Sequence, residues 1–289
     1  MGQRLGAGVA AGALVVAMIV GGHWIGRLTA GPVLAPALKA PKLPDASAPA
    51  ASAPPAPLSP PPPRAAAVQP LMAAPGLGPF GTRQATSTGD VALTFDDGPD
   101  PLWTPAVLDL LRFYRVRATF CLIGVNVRAY PGLVRRIVSE GHTLCNHSWG
   151  HEVTLGTWSP EAIRANLVRV NTEIQRALPG AVVPYFRHPG GAWTQRAVMI
   201  AAELGMASVH WDVDPQDWRR PGAGAIIRQV NGGTRPGSIV LLHDGGGDRS
   251  GTVIACRFFL PYLQGRFTLA ALPTLPINGI SRGRYQILD

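Results

Sequence analysis

Lysine is almost absent from this chain of 289 residues. Lys39 and Lys42 are the two lysines, so arginine carries nearly all of the positive charge behind the formal net charge of +9. The chain has no run of clustered basic residues and no nucleic-acid-binding motif, which argues against nucleic acid as a partner. The charge instead favours attraction to anionic surfaces such as a cell wall or lipid headgroups.

Cysteine is also scarce. The three cysteines are Cys121, Cys145 and Cys256, and no Cys-x-x-Cys pair is present, which excludes a zinc ribbon. An odd number leaves at least one thiol without a partner in a monomer. Cys121 and Cys145 fall on neighbouring predicted strands, so they either form a disulfide or are two small buried hydrophobic residues.

Two N-terminal segments have compositions that differ from that of a packed domain. Residues 6–26 are almost wholly apolar, and this length suits a membrane-spanning helix or the core of a signal peptide. Residues 31–80 are rich in Pro, Ala and Ser and are predicted to be a disordered linker. We therefore expect a signal peptide or membrane anchor in 1–30, a linker in 31–80 and a folded domain in 81–289. Either N-terminal signal implies a chain that is secreted or anchored to the outer face of the cytoplasmic membrane.

Strand and helix signals alternate from about residue 88 onward. An apolar strand-like run at 91–95, for example, is followed by a helical pattern at 105–114. Further strands are predicted at 143–146, 207–213 and 267–270, and Ser159 as N-cap with Pro160 at the first helical position predicts the start of a long helix. Alternating strands and helices predict an α/β fold with a parallel sheet. About seven such units without a nucleotide-binding fingerprint indicate a barrel, whose functional residues lie at the carboxyl ends of the strands.

Five short motifs fall where a predicted strand ends and a loop begins. In chain order they are Thr94-Phe95-Asp96-Asp97-Gly98, His147-Ser148-Trp149-Gly150-His151, Arg187-His188-Pro189-Gly190-Gly191, Asp214-Pro215-Gln216-Asp217-Trp218 and Leu241-Leu242-His243-Asp244. One carboxylate and two imidazoles suit a catalytic zinc that keeps an open coordination position. A second carboxylate, an arginine and a third histidine suit proton transfers around such an ion.

The adjacent carboxylates Asp96 and Asp97 would point to opposite faces within a regular strand. Both can face one site only if the strand ends there, and Gly98-Pro99 predicts such a break. A glycosidase would need carboxyl groups on opposite sides of the scissile bond, at least about 5 Å apart. Neighbouring residues on one turn are poorly placed for that reaction.

His147 and His151 have i, i+4 spacing, which on a helical turn would place both rings on one face. A zinc metalloprotease helix would carry a glutamate next to the first histidine, where this chain has Ser148. Together with Asp97, the two histidines are predicted to be a facial N,N,O ligand set for a divalent metal ion. Zn²⁺ is the expected ion, although Co²⁺, Mn²⁺ and Fe²⁺ accept the same ligands.

In their order along the chain, these five motifs resemble those of the polysaccharide deacetylases with a NodB homology domain (carbohydrate esterase family 4). The resemblance covers about residues 88–272 and implies a distorted (β/α)7 barrel, so that 81–289 would be the NodB homology domain. It implies that Asp96 is the general base and Asp97 a metal ligand. Arg187 would pair with Asp96, and Asp217 would orient and charge the catalytic acid His243.

The resemblance also implies three substrate-binding residues. Gly190, where the family often has tyrosine, would offer its backbone N–H to the oxyanion. Trp218 would line the site, and Leu241 would form a small pocket for the acetyl methyl group. His188 is not expected to be catalytic.

The expected activity is metal-dependent removal of N-acetyl groups from an extracellular N-acetylated glycan. Peptidoglycan and chitin-like oligomers are the expected substrates, and the protein is expected to be a monomer that meets the membrane through an uncleaved N-terminal helix. Three alternatives remain: an O-acetyl esterase acting on xylan, a non-catalytic wall-binding protein, and a membrane-anchored scaffold that works through the proline-rich segment.

Overall fold

The computed structural model of the protein describes residues 78–274. The predicted anchor (1–30), nearly all of the predicted linker (31–80) and the C-terminal residues 275–289 lie outside the described residues, so their assignments remain predictions. Between residues 78 and 274, no helix has the length and apolar character needed to cross a membrane.

Six parallel strands form one curled sheet. In chain order they are Ala92–Asp96 (β1), Thr119–Leu122 (β2), Thr143–Asn146 (β3), Tyr185–Phe186 (β4), Ala207–Ser208 (β5) and Ile239–His243 (β6). Their spatial order is β5-β4-β3-β2-β1-β6. Nearly every strand residue is buried, as expected for a parallel sheet that is covered by helices.

Seven α-helices connect these strands within the described part of the chain. They are Trp103–Phe113 (α1), Gly124–Ala129 (α2), Pro131–Ser139 (α3), Pro160–Ala177 (α4), Gln195–Glu203 (α5), Ala223–Gly233 (α6) and Ser250–Gln264 (α7). The predicted start of α4 is confirmed, because the Ser159 hydroxyl accepts the N–H of Ala162 at 3.2 Å and Pro160 occupies the first helical position. The short helix α2 was not predicted.

The predicted distorted barrel is confirmed, although several of its strands are shorter than expected, above all the fifth and the seventh. Of the predicted strand at 207–213, only Ala207 and Ser208 (β5) pair with β4. Val213 instead forms a parallel bridge with Val240 of β6. Between these points, His210 donates its N–H to Arg83. The chain therefore runs from one edge of the sheet to the other. The predicted seventh strand, at 267–270, is reduced to a single bridge between Leu269 and Val91.

Side chains of β1 alternate between two different environments. Leu93 and Phe95 belong to the large core between the sheet and the helices, whereas Ala92 belongs to a smaller cluster inside the curl of the sheet. Because a strand has a period of two residues, Thr94 and Asp96 share the inner face with Ala92. The inner face of the sheet therefore turns from apolar to polar toward the carboxyl end of β1.

A disulfide joins β2 to β3. Cys121 and Cys145 are register partners with a Cα–Cα distance of 4.1 Å, and the structure bonds their sulfur atoms. Of the two alternatives that the sequence left open, the disulfide is therefore the one observed. Cys256 is buried and has a free thiol. Asp96 is the register partner of Cys121 on the next strand, so the cross-link lies directly beside the end of β1.

Candidate active site

Asp96 and Asp97 present their carboxylates to the same space. β1 ends at Asp96, and Asp97 has a left-handed backbone with φ 73°. The Nε2 atom of His147 lies 3.6 Å from Asp96 Oδ2 and 3.5 Å from Asp97 Oδ1. The strand therefore ends between the two residues, as predicted. The turn at Asp97 brings both carboxylates to the same side, whereas a continued strand would direct them to opposite faces of the sheet.

Asp97, His147 and His151 form the one group of candidate metal ligands found in residues 78–274. Each offers one ligand atom, and these atoms all lie within 4.8 Å of one another. Asp97 Oδ1 is buried and has no hydrogen-bond partner in the described part of the chain. Leaving a buried carboxylate oxygen unpaired is costly, so this atom is suited to bind a cation. Two imidazole nitrogens and one carboxylate oxygen fit a divalent metal ion.

The expectation that His147 and His151 share a helical turn is wrong. An irregular loop follows β3, and both Ser148 (φ 66°) and His151 (φ 62°) have left-handed backbones. Side chains replace the helical hydrogen bonds, because Asn146 Oδ1 accepts the N–H of Ser148 and Ser148 Oγ accepts the N–H of Glu152. The loop folds back on itself, which brings the two imidazole centroids to 5.1 Å.

Neighbouring groups orient and charge the candidate ligands. The Nδ1–H of His147 donates to the carbonyl oxygen of Arg187 at 2.8 Å, so in its neutral form the ring would present the lone pair of Nε2 to a metal ion. Burial alone would raise the pKa of Asp97, but the adjacent His147 imidazole, with smaller contributions from His243 and His151, holds it well below its usual range. Asp97 is therefore an anion, as a metal-ligating carboxylate must be.

Arg187 crosses the inside of the sheet and is completely buried. Its Nη1 donates to Asp96 Oδ1 at 2.7 Å and to the hydroxyl of Thr94 at 2.8 Å. The remaining donors reach the backbone carbonyls of Val209 (3.2 Å) and His210 (3.1 Å). Because Oδ1 of Asp96 is held by this ion pair, Oδ2 is the oxygen left facing the histidines.

His243 and Asp217 form a second buried pair. Asp217 Oδ1 accepts the Nδ1–H of His243 at 2.7 Å, while Oδ2 accepts the backbone N–H of His243 and the hydroxyl of Thr252. Burial alone would lower the pKa of His243, but the hydrogen bond and charge of Asp217 raise it to about 9. The imidazole is therefore protonated at neutral pH, which is the state required of a general acid.

The three predicted substrate-binding residues lie around this centre. Gly190 is exposed in the loop after β4 with φ 62°, and Trp218 is 43% exposed next to Asp217. Leu241 is buried two residues before His243, so both side chains lie on the same face of β6. Their contacts with a substrate remain predictions. His188 is buried, and its Nε2 accepts the N–H of Gly156 at 3.1 Å, which makes it part of the packing.

Two glycines after β6 belong to the site, and the motif analysis missed them. A Cβ atom at Gly246 would lie 2.5 Å from Asp97 Oδ2, and one at Gly245 would collide with the backbone carbonyl of Asp97. Gly246 also has a left-handed φ of 73°. The run of three glycines that follows His243-Asp244 was the available signal, because glycine permits both a positive φ and close approach to another backbone.

Asp244 was also missed. Its side chain is fully buried, and Oδ2 accepts the hydroxyl of Thr104 at 2.5 Å. Burial raises the pKa of this carboxyl to about 7. Its backbone N–H donates to the carbonyl of Asp96, so this residue fastens the end of β6 to the end of β1.

A carboxylate, a protonated imidazole and a candidate metal-ligand set around one space at the strand ends are the groups that a metal-dependent hydrolase would use. The polysaccharide deacetylase family profile matches residues 83–209. A chitooligosaccharide deacetylase from a Bradyrhizobium species is 43% identical over 202 residues, which cover 66% of this chain and 92% of that protein.

Two further relatives agree with this match. A peptidoglycan-N-acetylglucosamine deacetylase from Bacillus cereus is 40% identical over 176 residues, 60% of this chain and 81% of that protein. The crystal structure of a peptidoglycan N-acetylglucosamine deacetylase with a bound benzamide has a TM-score of 0.62 and 33% identity, over 68% of this chain and 89% of that one. The chain belongs to the polysaccharide deacetylase family and is a hydrolase of carbohydrate esterase family 4.

Replacing Gly246 with alanine is expected to weaken metal binding. The added Cβ would displace the Asp97 carboxylate, and changes beside a ligand typically cost about 10-fold to 100-fold in metal affinity. Competition between the protein and a chromogenic chelator for Zn²⁺ measures the effect. Gly232→Ala on α6 is the matched control, because a Cβ there meets nothing within 4 Å. Equal Zn²⁺ affinity in the two folded variants would contradict the role given to Gly246.

Replacing Asp217 with asparagine is expected to lower the pKa of His243. The amide oxygen can still accept the Nδ1–H, but the largest source of negative charge that offsets burial is lost, so the pKa should fall from about 9 toward the ordinary histidine value of about 6.5. His243 would then lose its proton near neutral pH instead of retaining it. NMR titration of the ring in the metal-free protein measures this shift. Asp214→Asn on the same loop is the control, and a titration unchanged by Asp217→Asn would refute the assignment.

Proposed function

We propose that the protein removes N-acetyl groups from N-acetylglucosamine units of peptidoglycan or chitooligosaccharides, releasing acetate and leaving glucosamine. The observation that carries the proposal is the convergence of Asp96, His243 and the Asp97 ligand set at the carboxyl end of the barrel. The two substrate classes are those named for the relatives described above.

Asp97, His147 and His151 are the residues that would hold a divalent metal ion. When bound, such an ion polarises the acetamide carbonyl and lowers the pKa of a water molecule. We take the ion to be Zn²⁺, because a set of two imidazoles and one carboxylate is common in catalytic zinc sites. The same ligand set accommodates Co²⁺, Mn²⁺ or Fe²⁺.

Asp96 acts as the general base. Oδ1 is held by the Arg187 guanidinium, and Oδ2 faces the His147 ring across 3.6 Å. Oδ2 is therefore placed to accept the proton of the attacking water. The ion pair with Arg187 prevents this carboxylate from rotating, so that the base is oriented before substrate binds.

His243 acts as the general acid after the water has attacked the acetamide carbon. Its Nδ1–H is engaged by Asp217, which leaves Nε2–H to protonate the departing amine. The backbone N–H of Gly190 donates to the oxyanion of the tetrahedral intermediate, a form of stabilisation that often contributes most to catalysis. Leu241 would receive the acetyl methyl group, and the exposed ring of Trp218 would contact the sugar.

Two variants separate the proposed base from the proposed ligands. Asp96→Asn is expected to bind Zn²⁺ as the unmodified protein does but to lose about 100-fold or more in acetate release, because an amide accepts no proton. His147→Ala is expected to lose both. The zinc content of each purified variant is measured, and acetate release is measured on chitotetraose, peptidoglycan and acetylated xylan. Asp109→Asn, on the exposed face of α1, is the control. Undiminished acetate release by Asp96→Asn would rule out its role as base.

The same panel tests the alternative functions. Release of acetate only from xylan would identify an O-acetyl esterase. Glycan binding without any acetate release would identify a wall-binding protein. A scaffold would lose its cellular function when residues 31–80 are deleted, although the isolated enzyme kept its activity.

We also propose that the chain is secreted or anchored to the outer face of the cytoplasmic membrane. The apolar run at 6–26 supports export, and the Cys121–Cys145 disulfide is of a kind that persists in oxidising compartments. The proposed glycans also lie outside the cell. If 6–26 remains uncleaved, the proline-rich segment at 31–80 would act as a spacer between the membrane and the enzyme.

Fractionation and thiol titration test this location together. The chain is expected in the membrane or extracytoplasmic fraction, where the denatured protein should show one reactive thiol, that of Cys256, and three after reduction. Blocking free thiols before lysis is the necessary control, since it preserves the state in the cell. A cytosolic chain with three reactive thiols would contradict the proposal.

A further inference from the structure

We infer that Arg219 and Arg220 form a subsite for a carboxylate group on the glycan, beside the catalytic acid. This inference rests on the proposed deacetylase function and narrows it to an anionic substrate. Chitooligosaccharides carry no such group, whereas peptidoglycan carries carboxylates on its muramic acid units and on its stem peptides.

A tight turn places the two arginines next to the acid pair. A single 3₁₀ turn spans Asp217–Arg219 and lies between two left-handed residues, Gln216 (φ 54°) and Arg220 (φ 57°). The turn buries the Asp217 side chain against His243 and leaves the next three residues exposed. The two exposed arginines therefore follow closely in the chain after the residue that holds His243.

Trp218 and Arg219 form one exposed surface. The guanidinium carbon of Arg219 lies 4.6 Å from the centroid of the Trp218 ring. An aromatic face offers apolar contact to a sugar, and the stacked guanidinium adds a positive charge at its side. This pairing also restricts the arginine, so less conformational entropy is lost when it binds an anion.

Arg220 and Arg249 converge on the loop that follows β6. A Cβ atom at Gly247 would lie 2.7 Å from Arg220 Nη2 and 3.7 Å from Arg249 Nη2, so the glycine leaves room for both guanidinium groups. Arg249 is buried, and its donors reach the carbonyls of Gly245, Gly246 and Asp217. The buried Arg249 therefore adds positive charge beneath the surface, while the exposed Arg220 is available to a ligand.

Asp248 offsets only part of this positive charge. Hydrogen bonds from Ser250, with smaller contributions from the charges of Arg220 and Arg249, lower the pKa of its carboxyl group. Between residues 78 and 274, neither Arg219 nor Arg220 has a carboxylate within ion-pair distance. Asp248 is the nearby acid, and its carboxylate accepts the N–H of Ser250 at 2.8 Å. At Gly247 the guanidinium groups of Arg220 and Arg249 place two positive charges beside one acid, and an anionic group on the substrate would reduce the repulsion between them. Arginine also matches the planar geometry of a carboxylate.

Three tetrasaccharide substrates distinguish the source of the carboxylate. Chitotetraose is neutral, a glucosamine–muramic acid tetrasaccharide with N-acetyl groups carries free lactyl carboxylates, and its peptide-substituted form carries carboxylates only on the stem. The readout is the ratio of KM for each charged glycan to KM for chitotetraose, measured on the full chain. For the double variant Arg219→Gln/Arg220→Gln we expect this ratio to rise about five-fold with little change in kcat, since an exposed ion pair contributes little.

Arg115→Gln is the matched control. Arg115 is an exposed arginine with a similar left-handed backbone (φ 55°), but it follows α1 and precedes β2, at the opposite end of the barrel. Its KM ratio should equal that of the unmodified protein. A rise for only one of the two charged glycans would identify the lactyl group or the stem peptide as the source. An unchanged ratio in the double variant, or an equal increase in KM for chitotetraose, would overturn the subsite.

Direct binding separates failure of this inference from failure of the proposed function. If the unmodified chain releases no acetate from any substrate, the proposed function fails, but calorimetric titration of the same glycans still tests the subsite. Weaker binding of the carboxylate-bearing glycans by Arg219→Gln/Arg220→Gln than by Arg115→Gln would support it. Equal binding by the two variants would refute it.

Discussion

The buried guanidinium of Arg187 is the interaction on which the rest of the site depends. Its side chain holds Asp96 Oδ1 at 2.7 Å, and its backbone carbonyl holds the Nδ1–H of His147 at 2.8 Å. One residue therefore orients both the proposed base and a proposed metal ligand. Removing one partner of a buried ion pair typically costs about 3–5 kcal/mol, because the other charge remains uncompensated. The arginine thus links the stability of the barrel interior to the geometry of its chemistry.

Three of the strained backbone positions lie at or beside the candidate ligands. Asp97, Ser148 and His151 all have left-handed backbones although none is glycine, and such residues cost about 1–3 kcal/mol each. They persist because their surroundings fix them: the Asn146 amide holds the loop after β3, and Asp96 is joined to β6 through the N–H of Asp244. Packing of the sheet therefore stabilises the strained backbone that brings the ligand atoms of Asp97, His147 and His151 together.

The sequence predicted the elements better than it predicted how the site is assembled. Apolar patterning located β3 at its observed bounds, and Ser159-Pro160 marked the start of α4, because burial and capping are local properties. The histidine spacing was misread as helical, because the side-chain hydrogen bonds of Asn146 that stabilise a loop leave no periodic signal. Closure of the sheet through Val213 was missed for a related reason, since a single bridge depends on the curvature of the whole sheet.

The two glycines that follow His243-Asp244 limit which substitutions the loop after β6 can accept. Gly245 and Gly246 follow the proposed acid directly, yet they lie against the carboxylate and backbone of Asp97. The proposed proton donor His243 and the candidate metal ligand Asp97 are thus mechanically coupled through four consecutive residues. Neither can be altered through this loop without disturbing the other, so we expect both to have been inherited as one unit, with diversification confined to the rim.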